Sequence, residues 1–258
     1  MLTVIIKTFN EDAKVARAIE SALRATARLD AEIVVADSLS TDATVAVASR
    51  YPVRIVQLAD PGDRSCGAGA QLGFQHAAGD YIYLLDGDMA LEPGFLGPAL
   101  AALQADPRLA GVGGSIIEES DSMEFRLRKR RGDATMRPGA VDRLHGGGLY
   151  RRSALEDAGY FTDANLHSFE ELELGLRLRS RGWRLRRIAI VAARHYGHDG
   201  PALSLLRQRW RSRYAFGPGE LLRAALDAGY ASLALRELRL FVLVLGWFAS
   251  IFMLLAAG

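Results

Sequence analysis

Short apolar runs alternate with helical patterns through the first third of the chain, and this alternation restricts the fold more than any other feature of the sequence. The apolar runs predict strands at residues 2–6, 32–36, 53–57 and 81–85, and helical spacing predicts helices at 12–27, 41–50 and 68–78. Strands that alternate with helices in this way form a largely parallel sheet with helices on both faces. The predicted fold class is α/β, with a Rossmann-like, mostly parallel sheet.

The apolar run at 81–85 ends at two carboxylates, Asp86 and Asp88. Strand alternation predicts that both side chains leave the chain on the same side. The carboxyl ends of the strands in an open α/β sheet are where ligands bind. Two carboxylates there suit Mg²⁺ or Mn²⁺ shared with a diphosphate, and the alternative is a solvated Asp-Gly-Asp turn.

Charge is distributed unevenly along the 258 residues, although the net charge is only +2. Acidic side chains predominate before residue 126, and basic side chains predominate from 126 to 213. The sequence has no zinc-ligand spacing, no RNA-binding aromatic signature and no basic heptad array, so nucleic acid is not an expected partner. Phosphate-bearing substrates or anionic lipid headgroups fit the basic region better. The single cysteine, Cys66, excludes an internal disulfide framework and suggests a reducing compartment.

The end of the chain is apolar over residues 240–257 and carries no charge there. A helix of that length is close to the thickness of a bilayer's hydrocarbon core. Because Arg236 and Arg239 precede it, the positive-inside rule predicts that the preceding domain lies on the cytoplasmic face of the inner (plasma) membrane. A buried core helix is the alternative. The predicted division is a domain at 1–216 and a membrane-associated helical segment at 217–258.

Four segments, in this order, resemble the family 2 glycosyltransferases of the GT-A fold. Residues 4–11 resemble a strand that ends in Pro-Thr-Tyr-Asn-Glu, with Lys7 in place of the proline. Residues 33–44 are similar to Val-Val-Asp-Ser-Gly-Ser-Thr-Asp-Gly-Thr, and 67–88 resemble a glycine-rich helix followed by Gly-Asp-x-Ile-x-Phe-Leu-Asp-x-Asp. Residues 170–182 are similar to Glu-Asp-x-Asp-Leu-x-x-Arg-Leu-x-x-x-Gly. The resemblance covers about residues 2–200 and implies transfer of a sugar from a nucleotide sugar.

The resemblance also implies a donor site. Its candidate residues are Thr8, Asn10, Glu11, Asp37, Gly67, Gln71 and Asp86. Asp37 would accept the N–H of uracil, although it could instead cap the helix that follows. Asp88 would bind the metal that bridges the two phosphates, and Asp86 would face the ribose or the metal. Gln71-Leu72 departs from the Arg-Asn of many relatives.

Inverting sugar transfer needs a base for the acceptor hydroxyl, and the resemblance points to Glu171. The family has aspartate there, so Glu170 is the alternative base. Glu171 could also form a capping box with Ser168. Glu173, two residues later, is expected to pair with Arg177.

Two further regions lie beyond the four motifs. His195 could complete the metal shell or be an ordinary packed histidine. A cationic stretch around Trp210 predicts an interfacial element on an anionic membrane, with a solvated charged face as the alternative. The expected partners are a nucleotide-sugar donor and a lipid-linked or glycan acceptor. The donor is expected to be a UDP sugar. The rival functions are an inactive membrane-bound nucleotide-sugar-binding protein, a sugar-phosphate nucleotidyltransferase and a dinucleotide-dependent oxidoreductase.

Overall fold

A computed structural model of the chain describes residues 1–119, 136–197 and 202–257. The strands are β1 Leu2–Thr8, β2 Ala31–Asp37, β3 Arg54–Gln57, β4 Tyr81–Asp86, β5 Met89–Leu91, β6 Leu109–Glu118, β7 Gly139–Val141, β8 Gly148–Arg151 and β9 Arg184–His195. The helices are α1 Val15–Thr26, α2 Thr44–Ala48, α3 Cys66–His76, α4 Leu96–Ala105, α5 Arg152–Asp157, α6 Glu170–Ser180, α7 Ala202–Arg211, α8 Gly217–Asp227, α9 Ala231–Glu237 and α10 Arg239–Ala257. Short 3₁₀ turns lie at Pro61–Asp63 and Tyr214–Phe216.

The α/β architecture is confirmed, and the sheet is mixed. Its strand order is β3-β2-β1-β4-β8-β6-β9-β5, with β7 also paired to β9. Parallel pairing joins β1 to β2 and β4, β2 to β3, and β6 to β9. Antiparallel pairing joins β8 to β4 and β6, and β5 and β7 to β9. The parallel arrangement predicted from the sequence therefore holds for the first four strands, and β8 ends it.

Residues 118–148 are polar, basic and glycine-rich, which predicts a loop or insertion there, but the structure forms a short strand inside this segment. β6 extends to Glu118, β7 occupies Gly139–Val141, and β8 begins at Gly148. Residues 120–135 of that prediction lie outside the described part of the chain.

Two apolar cores cover the two faces of the sheet because successive strand residues point to opposite sides. Val4 and Ile6 of β1 pack with Ile19 of α1 on one face. Ile5 packs with Ala70 of α3 on the other. Gly73 lets α3 approach β1 closely, since a Cβ there would lie 2.3 Å from Ile5 Cγ2.

A third core joins the C-terminal helices to α6. Its buried members are Leu172, Leu176, Leu221, Ala225, Tyr230, Ala234 and Leu238. Helices α8 and α9 thus pack against the helix that begins at Glu170.

Helix α10 presents large apolar side chains to solvent. Leu243, Trp247 and Phe252 have 68%, 62% and 71% of their surface exposed. Among the described residues, no single helix is both long and apolar enough to cross a membrane. Ala231–Glu237 and Arg239–Leu254 meet the length and composition requirement only together, and they are bent by 78°. The sequence-based membrane prediction therefore stays a prediction.

Candidate active site

The ends of β1, β2 and β4 bring three sequence motifs to one edge of the sheet. In the parallel register, Thr8 lies beside Asp37, and Lys7 lies beside Asp86. These neighbours come from segments that are far apart in the sequence. The three motifs therefore lie together at the carboxyl ends of these strands, as predicted.

Asp37 is fully buried and its two oxygens accept four hydrogen bonds. Oδ1 accepts from Thr8 Oγ1 at 3.1 Å and from Ser40 Oγ at 2.5 Å. Oδ2 accepts from the Ser40 amide at 2.9 Å and from Gln57 Nε2 at 3.0 Å. A carboxylate offers about four acceptor positions, so this set fills them. Asp37 orders the turn after β2, and it does not cap the next helix, which begins at Thr44.

Asn10 and Glu11 connect the loop after β1 to the loop after β2. Asn10 adopts a left-handed backbone with φ of 56°, and its Oδ1 accepts a hydrogen bond from the Thr41 amide at 2.8 Å. The Glu11 amide donates to Thr44 Oγ1 at 2.7 Å. Asn10 is exposed at this edge of the sheet.

Gly67 and Gln71 on α3 face the segment that leads to α6. A Cβ at position 67 would lie 1.9 Å from the carbonyl oxygen of Asp163, so this contact requires glycine. Gln71 Oε1 accepts hydrogen bonds from the amides of Phe161 and Thr162 at 2.9 and 3.2 Å. Gln71 also borders a cavity of about 440 Å³ between α3 and α8. Gly67 and Gln71 therefore hold α3 against the segment at 161–164.

The two acidic residues after β4 have different neighbours. β4 ends at Asp86, so strand alternation does not extend to Asp88, which lies in the turn before β5. Asp86 Oδ1 lies 3.1 Å from Lys7 Nζ. Asp88 Oδ2 lies 3.1 Å from His195 Nε2. Burial, the Asp88 charge and Glu170 raise the pKa of Asp86, against the opposing effect of Lys7.

His195 reaches Asp88 because β5 and β9 pair with Met89 opposite His195. Its Nδ1 lies 2.6 Å from Glu118 Oε2. Burial alone would lower the pKa of His195, but the hydrogen bonds to Asp88 and Glu118 raise it to about 10. The two carboxylates therefore hold the His195 ring in place, and the ring must give up its Nε2 proton before it can bind a metal ion.

The donor set at this position is one carboxylate and one imidazole. Within residues 1–119, 136–197 and 202–257, no group of three or more His, Cys, Asp or Glu side chains is arranged to hold a metal ion. Asp88 and His195 fit a divalent cation that takes its remaining ligands from a diphosphate, as Mg²⁺ commonly does. Of the three predicted metal ligands, Asp86 is engaged by Lys7, which leaves Asp88 and His195 as the pair that would hold the ion.

Glu170 and Glu171 open α6 and have different environments. Glu170 Oε1 accepts a hydrogen bond from Lys7 Nζ at 3.1 Å. Glu171 Oε2 lies 3.9 Å from His145 Nδ1, and the Glu171 side chain is 22% exposed. Burial and the neighbouring Glu170 charge raise the pKa of Glu171 to about 8.

The capping box of Ser168 with Glu171, the alternative to a catalytic Glu171, does not form. α6 begins after Phe169, which has a left-handed backbone with φ of 68°, and no side chain caps the helix. Ser168 Oγ instead donates to the carbonyl oxygen of Tyr214 at 2.8 Å. The predicted pair of Glu173 and Arg177 is confirmed, with two contacts at 2.8 Å.

The sequence reasoning missed several residues of the site. They are Lys7, Glu118, His145 and Tyr214. Lys7 had a usable signal, because it replaces a proline in the motif that it otherwise matches. His145 precedes three glycines, and a Cβ at Gly146 would lie 2.9 Å from Asp86 Oδ2.

Comparisons with known proteins identify relatives of this chain. The model of the family described as glycosyl transferase family 2 matches residues 3–159. EpsE of Bacillus subtilis (strain 168), which is named as a glycosyltransferase, is 26% identical over 190 residues that cover 71% of this chain and 68% of EpsE.

Two solved structures share the fold. The structure of S. aureus TarS 1–349 with UDP-GlcNAc has a TM-score of 0.63 and 17% identity, and the match covers 79% of this chain and 60% of that one. The mannosyltransferase PcManGT from Pyrobaculum calidifontis, in complex with GDP-Man and Mn²⁺, has a TM-score of 0.62 and 20% identity, with 98% and 80% covered.

Proposed function

This chain belongs to glycosyl transferase family 2, and we propose that it transfers a sugar from a UDP sugar to a hydroxyl group of a lipid-linked or envelope glycan acceptor. The observation that carries the proposal is the arrangement at one edge of the sheet. The Asp88–His195 pair lies on the donor side, and the Glu170–Glu171 pair lies at the start of α6. Lys7 contacts a carboxylate on each side.

The donor nucleotide would lie over the ends of β1 and β2. Thr8 and Asp37 order this surface through their hydrogen bond, and Asn10 is exposed beside it. The bound nucleotides of TarS and PcManGT are both nucleoside diphosphate sugars, one with uridine and one with guanosine. Uridine is the proposed base here, and a comparison of UDP and GDP sugars tests that choice.

Asp88 and His195 would hold Mg²⁺ or Mn²⁺. When bound, the ion supplies positive charge that stabilises the leaving diphosphate. Glu118 orients the imidazole of His195 from its other side, at 2.6 Å. A second carboxylate that orients a metal-binding histidine is a common support for such ligands.

Glu171 is the proposed general base. Its raised pKa, about 8, is close to the operating range that favours proton transfer. It removes the proton of the acceptor hydroxyl while that oxygen forms a bond to the anomeric carbon. The bond from the anomeric carbon to the diphosphate breaks at the same time, so the nucleoside diphosphate leaves with the electron pair and the configuration inverts.

The acceptor is proposed to be presented at a membrane. Helix α10 exposes apolar side chains, and Trp210 and Phe216 form an exposed aromatic pair with centroids 5.4 Å apart. The carbonyl oxygen of Tyr214, in the same region, accepts a hydrogen bond from Ser168 Oγ next to α6. Burial, Cys66, Glu170 and Glu171 raise the pKa of Tyr214. The aromatic region would therefore join the lipid surface to the acceptor side of the site, with the catalytic domain on the cytoplasmic face.

The experiment is a panel of UDP and GDP sugars, tested with Mg²⁺ or Mn²⁺ and with a lipid extract as acceptor. The proposal predicts metal-dependent transfer from a UDP sugar, which Glu171→Gln slows. Binding of the donor without turnover would favour a nucleotide-sugar-binding protein instead. Turnover that a chelator leaves unchanged would contradict the metal-dependent mechanism.

A further inference from the structure

Lys7 is a partly buried cation at the centre of the candidate active site. It lies at the end of β1, the strand between β2 and β4, and its side chain is 18% exposed. Its Nζ is 3.1 Å from Asp86 Oδ1 and 3.1 Å from Glu170 Oε1. One ammonium group thus joins the strand on the donor side to the helix that carries the proposed base.

The ammonium is held in its charged form by the acids around it. Burial alone would lower the pKa of Lys7, but Asp86, Glu170 and Glu171 together raise it well above its usual value. The charged and titratable groups around Lys7 and Glu171 come from several elements. They are Asp86 on β4, Cys66 on α3, Arg143 and His145 before β8, Tyr150 on β8, Tyr214 in the 3₁₀ turn, and Glu170 on α6.

We propose that Lys7 is a positioning residue that decides which of the two adjacent glutamates acts as the base. This inference rests on the proposed sugar transfer. The ion pair holds the carboxylate of Glu170 against the ammonium of Lys7. Glu171 points instead toward His145, and it receives the proton.

Breaking the ion pair of Lys7 with Glu170 costs free energy, and this cost favours Glu171 as the base. A proton on Glu170 would leave Lys7 with one fewer buried partner, and removal of one member of a buried ion pair is strongly unfavourable. Glu171 makes no such contact with Lys7, so its protonation leaves the ion pairs of Lys7 intact. Proline, which the related motif has at this position, could not make either contact.

The test is a set of charge-matched variants assayed for transfer across a pH range. Lys7→Met leaves the buried Glu170 and the partly buried Asp86 without their cation. We expect the transfer rate to fall roughly tenfold or more, and the pH at which the rate reaches half its maximum to rise by about one unit. The double variant Lys7→Met/Glu170→Gln removes one charge of each sign. It should recover most of the lost transfer rate and the pH profile of the wild type. Lys7→Arg should keep the wild-type rate and pH profile. Arg50→Met, which removes an exposed cation, is the control and should behave as the wild type.

A Lys7→Met variant with the wild-type rate and pH profile would overturn the inference. So would a double variant no faster than Lys7→Met. If Lys7→Met does not fold, the double variant is compared with Glu170→Gln alone. Similar rates for the two support the inference, and an inactive double variant beside an active Glu170→Gln overturns it. If Glu171→Gln turns over slowly while Lys7→Met has the wild-type rate and pH profile, only the role of Lys7 is refuted. Full activity of Glu171→Gln refutes the proposed base.

Discussion

Replacing Glu171 with glutamine should stabilise the protein while it removes the base. The pKa of Glu171 is raised from an ordinary value of 4.5 to about 8, chiefly by burial. Between these two values, the folded protein retains a proton that the unfolded chain releases. The free energy of unfolding contributed by this group therefore decreases as the pH rises from about 4.5 to about 8. At about 1.4 kcal/mol for each pKa unit, the penalty at pH 7 is on the order of 3 kcal/mol.

Glu171→Gln has nearly the same shape and no titrating group, so it should avoid this penalty. Urea unfolding of the full chain in detergent, followed by tryptophan fluorescence, should give equal stabilities for the two proteins near pH 4. The variant should be more stable by on the order of 3 kcal/mol at pH 7, with a larger difference at pH 8. Glu156→Gln is a matched control because its side chain is 58% exposed. A Glu171→Gln variant that is less stable than the wild type at pH 7, or a difference that does not grow with pH, would refute the reasoning.

Three further outcomes follow from the site. The wild-type transfer rate should rise with pH and level off above about 8, because Glu171 must lose its proton; a flat pH–rate profile between 6 and 9 would count against it. Asp88→Ala should abolish metal-dependent donor binding in calorimetry and lower the melting temperature, since Asp88 is buried and pairs with His195. Unchanged donor binding would exclude Asp88 as a ligand. A chain that ends at Leu238 keeps the packing of α8 and α9 on α6, and we expect it to be lost from the membrane fraction. If it stays in that fraction, α10 is not the anchor.

The positions of the donor-side motifs were predictable because local patterns fix them. A strand that ends in Thr8 and another that ends in Asp37 bring these residues together once the strands pair in parallel. The sequence supplied both strands and the parallel arrangement. Asp86 followed from the same reasoning, since β4 is the other neighbour of β1.

The remaining features depend on contacts between distant segments. The ion pair of Lys7 with Glu170 spans 163 residues, and no local pattern specifies it. The alternative capping box does not form because Ser168 Oγ instead donates to the carbonyl oxygen of Tyr214, 46 residues further along the chain. The antiparallel insertion of β8 between β4 and β6 carried no periodic signal, since only Gly148–Arg151 forms that strand.

The most direct test of the account compares donor binding and turnover in Glu171→Gln and Glu170→Gln. The account predicts that Glu171→Gln binds the UDP sugar as the wild type does but turns over roughly 100-fold more slowly or worse. Glu170→Gln should remain the faster of the two variants. A slow Glu170→Gln beside an active Glu171→Gln would assign the base to the other glutamate and contradict the account.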